Sequence, residues 1–243
     1  MAISKDDFEV MITVSVIIVA AGNSSRMNGV NKQLEKIGDT PIFVMSALKF
    51  EQSEQAGEII VAAPAEDVAR YEKLARNFGV TKLSAVVAGG DTRAKSVRNA
   101  LEAVSPKADY IAIHDGARPL ISTEEIERVF ADAEKYNAAI AAVPATDTVK
   151  SVGSNGFIEE TPQRGKLYYA QTPQVFKKSL YTSCLEKLGA QADNVTDDSS
   201  ILELCGEYVR ITEINGCNMK ITRPDDLAAA EAIYNNRRTV KMI

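Results

Sequence analysis

Small residues, hydroxyls and cations crowd one stretch of the chain: Ala20-Ala21-Gly22-Asn23-Ser24-Ser25-Arg26-Met27, followed by Lys32-Gln33. Such a stretch lets main-chain N–H groups come close to phosphate oxygens. Arg26 and Lys32 add positive charge to the same turn. Taken alone, it reads equally well as a polar connector with two solvated cations. It carries neither the GxGxxG of a dinucleotide turn nor the GxxxxGK, followed by Ser or Thr, of a P-loop.

Two more clusters have chemical potential: Gly89-Gly90-Asp91-Thr92-Arg93 with Ser96, and His114-Asp115-Gly116-Ala117-Arg118-Pro119. Paired glycines admit a flat group against the backbone, while Asp91 and Ser96 address polar edges. Read as structure only, the first is a plain turn into a helix with Thr92 as its N-cap. Asp115 closes an apolar run and suits either a ribose or Mg²⁺, which takes one or two carboxylates and completes its shell with substrate phosphates. His114 is the only histidine, and Cys184, Cys205 and Cys217 are far apart. That pattern excludes a multi-histidine or CxxC metal centre. It fits reduced thiols and a cytoplasmic location.

These clusters need a scaffold that brings them together, and the apolar periodicity supplies one. Val14–Ala20, Glu58–Ala63, Leu83–Ala88, Tyr110–His114 and Ala138–Val143 read as strands. Helical spacing falls between them: Pro41 to Phe50, then Val68 to Phe78, then Val97 to Val104. A further helix is capped by Ser122 or Thr123. This alternation predicts a Rossmann-like α/β fold with a mainly parallel, doubly wound sheet. In such sheets ligands sit beyond the carboxyl ends of the strands, which places the working loops after Ala20, Ala88 and His114.

The rhythm breaks over Pro144–Gln171, which carries Gly153-Ser154-Asn155-Gly156 and Tyr168-Tyr169. That segment predicts a β-hairpin arm outside the main sheet, at about 144–171. A lone hairpin is marginal in water, so a second subunit is expected against it. Helical patterning returns at Lys177–Leu188, a strand at Tyr208–Ile214 and a last helix after Pro224. Residues 1–12 read as a mobile extension whose acidic character does not fit a signal peptide. Residues 13–243 read as one domain. The chain has 243 residues and a formal charge of −5. The acidic balance argues against nucleic acid as a partner, and no apolar run is long enough to span a bilayer.

Taken in order, the blocks resemble a family. Ala20-Ala21-Gly22 with Arg26, Met27, Lys32 and Gln33 is similar to the opening of cytidylyltransferases. The remaining blocks narrow the likeness: the Gly89 and His114 clusters, Asp147-Thr148 with Lys150, Arg164 and Gln171-Thr172-Pro173-Gln174. Thr196-Asp197-Asp198 and Asn218-Met219-Lys220-Ile221-Thr222 complete it. Over roughly residues 14–235 the chain resembles the 2-C-methyl-D-erythritol 4-phosphate cytidylyltransferase family of the non-mevalonate isoprenoid pathway. It departs at Gly116, where that family commonly has alanine, and at Asp198, where it has glutamate.

The resemblance implies a reaction between CTP and a phosphorylated sugar alcohol, with Mg²⁺ or another divalent cation as cofactor and a homodimer exchanging arms. It makes Arg26 and Lys32 the catalytic pair that stabilises the transition state. It assigns Ala20, Ala21, Gly22, Gly89, Gly90, Asp91, Ser96, Asp115 and Gly116 to CTP, with Asp115 also the metal ligand. It assigns Arg118, Thr148, Arg164, Thr172, Thr196, Asp197 and Lys220 to the acceptor substrate, with Thr148 and Arg164 reaching across the dimer. Arg118 either contacts the nucleotide or braces its loop. His114 reads as a turn-fixing residue rather than a catalytic one. The rival readings are a pentitol-phosphate (ribitol-type) cytidylyltransferase, a non-catalytic nucleotide-binding module and a dinucleotide oxidoreductase. The missing GxGxxG argues against the last.

Overall fold

The computed structural model describes residues 13–22 and 31–240. The expected extension over 1–12 and the side chain of Arg26 lie outside them. The first strand, β1 (Val14–Val19), is apolar on both faces, as a strand flanked on both sides by helices must be. It pairs in parallel with β4 (Ala56–Ala63) and β6 (Tyr110–Asp115). β5 (Leu83–Ala88) extends one side in parallel. On the other side lie β10 (Tyr168–Lys177), β7 (Ala138–Pro144) and β11 (Arg210–Glu213). The sheet order is β11-β7-β10-β6-β1-β4-β5. Only β10 runs against its neighbours, pairing antiparallel with both β6 and β7. The small strands β2 (Lys36–Ile37) and β3 (Thr40–Pro41) form a separate pair.

The alternation along β1 divides the core. Val14, Val16 and Ile18 face one layer with Phe43, Tyr71 and Phe130. These come from α1 (Ile42–Glu51), α2 (Val68–Asn77) and α4 (Thr123–Tyr136). Ile17 faces the other layer with Val97, Ala100, Phe176 and Tyr181. That layer holds α3 (Arg93–Leu101), α5 (Lys178–Leu188) and α6 (Ser199–Leu204). Burying each of the larger apolar side chains stabilises the fold by about 1.5–3 kcal/mol. Ser122 and Glu125 form a reciprocal capping box at the start of α4, and the Thr92 hydroxyl accepts from Lys95 N at the start of α3. The last helix, α7 (Pro224–Val240), packs beside β2.

The hairpin is present as β8 (Ser151–Val152) and β9 (Ile158–Glu160), paired antiparallel apart from the main sheet. The expected arm is nevertheless too long. Residues 168–171 belong to β10, and 144 ends β7, so Tyr168–Ala170 lengthen the main sheet by pairing with Val143, Pro144 and Ala142. The polar run Gln171-Thr172-Pro173-Gln174 disguises this strand, since proline and glutamine mid-run argue against a central strand. The ladder with β7 is interrupted there, between Ala170 and Gln174.

Candidate active site

β1 and β6 end side by side, with β5 one strand further out beyond β4, and the chain reverses its strand order around β1, which is where an open α/β sheet leaves a crevice. The backbone of Ala20 is held by its N–H donating to Ala62 O at 2.8 Å. Gly89 follows β5 directly against this first turn. A Cβ on Gly89 would lie 2.2 Å from Ala21 Cβ, so only glycine lets the two turns touch. Between them opens a cavity of about 250 Å³, lined by Ala21, Gly22, Lys32, Gly90, Asp91, Arg93, Ser96, Asp115 and Lys220, among others. Ala20 and Gly89 support this wall from behind. Ser96 is buried, with its hydroxyl donating to Thr92 O at 2.9 Å and accepting from Gly90 N at 3.1 Å. Asp91 is exposed at the rim and paired with Lys95 at 2.9 Å.

Asp115 ends β6 at the cavity floor. Its Oδ2 lies 2.8 Å from Lys220 Nζ and 3.2 Å from Arg118 Nε, and its Oδ1 lies 3.3 Å from Arg93 Nε. Burial alone would raise its pKa. Arg93, Lys220 and Arg118 together outweigh that and hold the carboxyl well below the usual carboxylate range. Asp115 therefore serves as the counter-charge that keeps three cations close together.

His114 is fully buried behind this floor. Its Nε2 lies 3.1 Å from Arg118 O, and its Nδ1 lies 3.1 Å from Thr172 Oγ1. A carbonyl only accepts, so the network assigns the ring proton to Nε2 and leaves Nδ1 to accept from the Thr172 hydroxyl. Thr172 Oγ1 in turn accepts from Asp115 N at 3.0 Å. Burial pushes the His114 pKa down to about 4. A neutral imidazole with both nitrogens engaged fixes the Asp115–Arg118 turn and is not available as a general base.

A second cavity of about 140 Å³ adjoins the first, lined by Thr172, Gln174, Thr196 and Asp197 together with Arg93, Asp115, Arg118 and Lys220. Its loop is organised by Gln174. The amide oxygen accepts from Asp198 N and Ser199 N, both at 3.0 Å, and the amide nitrogen donates to Asp197 Oδ2 at 2.8 Å. Asp197 also accepts from Ser199 Oγ, Ser200 N and Ser200 Oγ. Burial opposes ionisation of Asp197, and these hydrogen bonds prevail and lower its pKa. Its oxygens are thus committed to starting α6, although the residue still borders the cavity. Thr196 is exposed at the mouth.

The remaining candidates are placed differently. Gly116 lies behind the wall, with its N–H donating to Val19 O at 2.9 Å and its C=O accepting from Ser46 Oγ at 2.8 Å. Ala117 lines the cavity in its place. Arg118 both pairs with Asp115 and donates from Nη1 to Asn218 O at 2.8 Å, so it braces the loop. Thr148 and Arg164 are exposed on the arm side, and neither lines either cavity of its own chain. Arg164 Nη1 donates to Thr146 O at 3.1 Å. Arg93, Gln174 and Asn218 stand in the sequence blocks quoted above, but the sequence reading gave none of them a role in the site. The signal for Arg93 was its position directly after the Thr92 cap, at the carboxyl end of β5.

For a divalent ion the donor set is selective. Among the described residues no group of three or more His, Cys, Asp or Glu is placed to hold a metal. Asp115 Oδ2 is shared by two cations, while among the described residues Oδ1 has only the longer contact to Arg93. One carboxylate oxygen fits an ion that arrives on a triphosphate with most of its ligands already in place. It does not fit a resident all-protein metal site. Among the described residues no helix is long and apolar enough to cross a membrane.

A sequence model of the family described as IspD, 2-C-methyl-D-erythritol 4-phosphate cytidylyltransferase, matches residues 14–236. The enzyme of that name from Clostridium botulinum (strain Loch Maree / Type A3) is 38% identical over 220 residues, covering 90% of this chain and 96% of the relative. The one from Alkaliphilus oremlandii (strain OhILAs) is 40% identical over 226 residues, covering 92% and 96%. Among solved structures, the 4-diphosphocytidyl-2C-methyl-D-erythritol synthase from Anaerococcus prevotii DSM 20548 superposes with a TM-score of 0.82 at 28% identity. It covers 92% of this chain and 99% of its own.

Proposed function

The chain belongs to the 2-C-methyl-D-erythritol 4-phosphate cytidylyltransferase family, and from that membership we propose how its residues divide the work. It transfers the cytidylyl group of CTP to 2-C-methyl-D-erythritol 4-phosphate, giving 4-diphosphocytidyl-2-C-methyl-D-erythritol and pyrophosphate. The pentitol-phosphate alternative is not favoured by the family match. The observation that carries the assignment of roles is the wall of Arg93, Asp115 and Lys220, which faces both cavities at once.

The larger cavity takes CTP, with the Gly90–Ser96 turn against the base and the Ala21–Lys32 side against the triphosphate. The smaller takes the acceptor phosphate, near Thr172, Thr196 and Lys220. A phosphate monoester has its second pKa near ~6 and is mostly dianionic at neutral pH. It attacks the α-phosphorus without a base, which agrees with His114 being sealed off. The barrier is then one of charge and alignment, met by preorganised cations. Arg26 and Lys32 stabilise the charge that builds on the α-phosphate. Asp115, together with oxygens of the triphosphate, would hold a Mg²⁺ ion, which would supply charge neutralisation and orientation of the triphosphate. Asp115→Asn should therefore raise the Mg²⁺ concentration needed for half-maximal rate, and an unchanged metal titration counts against that role.

Residues 13–243 act as one nucleotidyltransferase domain in a homodimer whose arms are exchanged. The exposure of Val152, Phe157 and Ile158 (53%, 74% and 62%) supports a partner there, as does the distance of Arg164 from its own cavities. Three cysteines without a disulfide suit a cytoplasmic setting. The deciding experiment is pyrophosphate release with CTP, or UTP in its place, and a panel of phosphorylated polyols. Methylerythritol phosphate with CTP should give the highest kcat/KM. Equal values for CTP and UTP would remove the Gly90–Ser96 turn from base recognition.

A further inference from the structure

Arg93 belongs to both cavities and touches the floor of one and the loop of the other. Its Nε lies 3.3 Å from Asp115 Oδ1, and its Nη1 lies 2.6 Å from Asp198 Oδ2. Asp198 is almost fully buried, and its other oxygen accepts from the hydroxyl of Tyr181 at 2.9 Å. Tyr181 is itself buried, stacked on Phe176 of β10 with ring centroids 5.1 Å apart. The Asp198 main-chain N–H is held by Gln174 Oε1. Two buried carboxylates on one guanidinium are costly to desolvate and persist only where each lone pair has a partner. Here every leg is anchored: Asp115 to β6, Asp198 to Tyr181 on α5, and Arg93 itself to the first turn of α3.

A guanidinium is a rigid plane, so two carboxylates on different edges of it are held at a fixed separation. Asp115 is at the nucleotide floor. Asp198 directly follows Thr196 and Asp197, which border the acceptor cavity. No other described side chain forms an ion pair with both. We propose that Arg93, anchored by Asp198 and Tyr181, is a positioning residue that sets the distance between the acceptor loop and the nucleotide floor, and so the approach of the acceptor phosphate to the α-phosphorus. This role rests on the reading of the two cavities given above. If the Asp198 leg is cut, the nucleotide cavity keeps its other contacts, while the 196–198 loop, still held to β10 by Gln174, loses its ionic tie to the floor. The defect therefore falls on the acceptor.

The test is steady-state kinetics on the intact protein, varying CTP and methylerythritol phosphate separately, with thermal midpoints recorded alongside. Asp198→Asn should raise the acceptor KM by about tenfold or more, the scale of one lost charge-assisted hydrogen bond. It should lower kcat and leave the CTP KM within about twofold. Tyr181→Phe should move the same parameter by about threefold. The double variant should be no worse than Asp198→Asn alone, because the tyrosine acts through that carboxylate. Asp198→Glu, which keeps the charge, should recover most of the acceptor KM. Arg93→Lys should not recover it, since an ammonium cannot hold both carboxylates in one plane. If Asp198→Asn does not fold, Tyr181→Phe and Asp198→Glu carry the comparison. CTP and acceptor KM rising together, or a fall in thermal midpoint with unchanged kinetics, would show a brace of the fold only and overturn the proposal. Wild-type protein that releases no pyrophosphate from CTP with any polyol phosphate overturns the assigned reaction itself, a result visible before any variant is read.

Discussion

Two of the places that carry cations in this molecule are built in opposite ways. At the ends of β5 and β6, Arg93, Arg118 and Lys220 are gathered around one buried carboxylate, each with a partner at hydrogen-bonding distance. On the arm, Arg164 is exposed, its side chain bonded among the described residues only to the carbonyl of Thr146, next to a hairpin whose apolar side chains face outward. The first region is preorganised within one chain. On the homodimer proposed above, the second would acquire its purpose only when another subunit meets it. The nucleotide half of the site would then be a property of the protomer, and the acceptor half would be completed by assembly.

The sharpest way to probe the first region is Lys32→Ala, which should lower kcat by at least ~10²-fold, the scale of one lost transition-state donor. A steady-state kcat near the wild-type value would remove Lys32 from the transition state. The second region is probed by mixing. Lys32→Ala and Arg164→Ala proteins, each impaired alone, should after subunit exchange regain about a quarter of wild-type activity, because half the dimers are mixed and each has one intact site. No recovery, with exchange confirmed by a tagged subunit, would mean that Arg164 serves its own chain and the contrast fails.

Acid should undo the first region before the arm matters. His114 has an ordinary pKa of 6.5 and is pushed down to about 4 by burial in the folded protein. Below pH 6.5 the unfolded chain takes up a proton that the folded one refuses. This contribution to stability is therefore complete above pH 6.5 and lost as pH falls to about 4, amounting to about 3 kcal/mol. Denaturant midpoints measured across that window should fall, and a flat curve would contradict a buried neutral ring. The smallest effect is expected at Gly116. A Cβ there would sit 2.8 Å from Gln33 Oε1, so Gly116→Ala must displace that carboxamide. Gln33 Oε1 has no hydrogen-bond partner among the described atoms, so the loss should be only about 1 kcal/mol. A fall of several kcal/mol would show that the floor is more tightly packed than the geometry indicates.

Much of the sheet was legible because parallel strands are continuous apolar runs. Val14–Val19 and Tyr110–Asp115 carry that signal, and Gly22 shortly after the first and Asp115 at the end of the second mark the ligand edge. β10 was not, because its residues 171–174 are polar and proline-containing, with side chains spent on Asp197, Asp198 and His114 rather than on a core. For the same reason α6 was missed: it is short, and what starts it is the Asp197 side chain, which sequence assigns to a ligand. Lys32, Asp115 and Lys220, which do line the larger cavity, were picked out by family resemblance, because each stands in or beside a recognisable sequence block. Arg93 was hidden because its importance lies in two carboxylates 22 and 105 positions away, a relation no local pattern reveals.

The reversed strand also bears on how the chain reaches this state. β7 has as neighbours only β10 and β11, and both are encoded after it. As the polypeptide leaves the ribosome, Ala138–Pro144 must wait, apolar on most of its length, until residue 177 has emerged and can be threaded between β6 and β7. The half of the sheet built on β1, β4, β5 and β6 can consolidate early, while the other half joins through contacts distant in sequence, which form slowly. Nascent chains that stop short of Lys177 should therefore expose a sticky, unpaired edge and depend on holding chaperones.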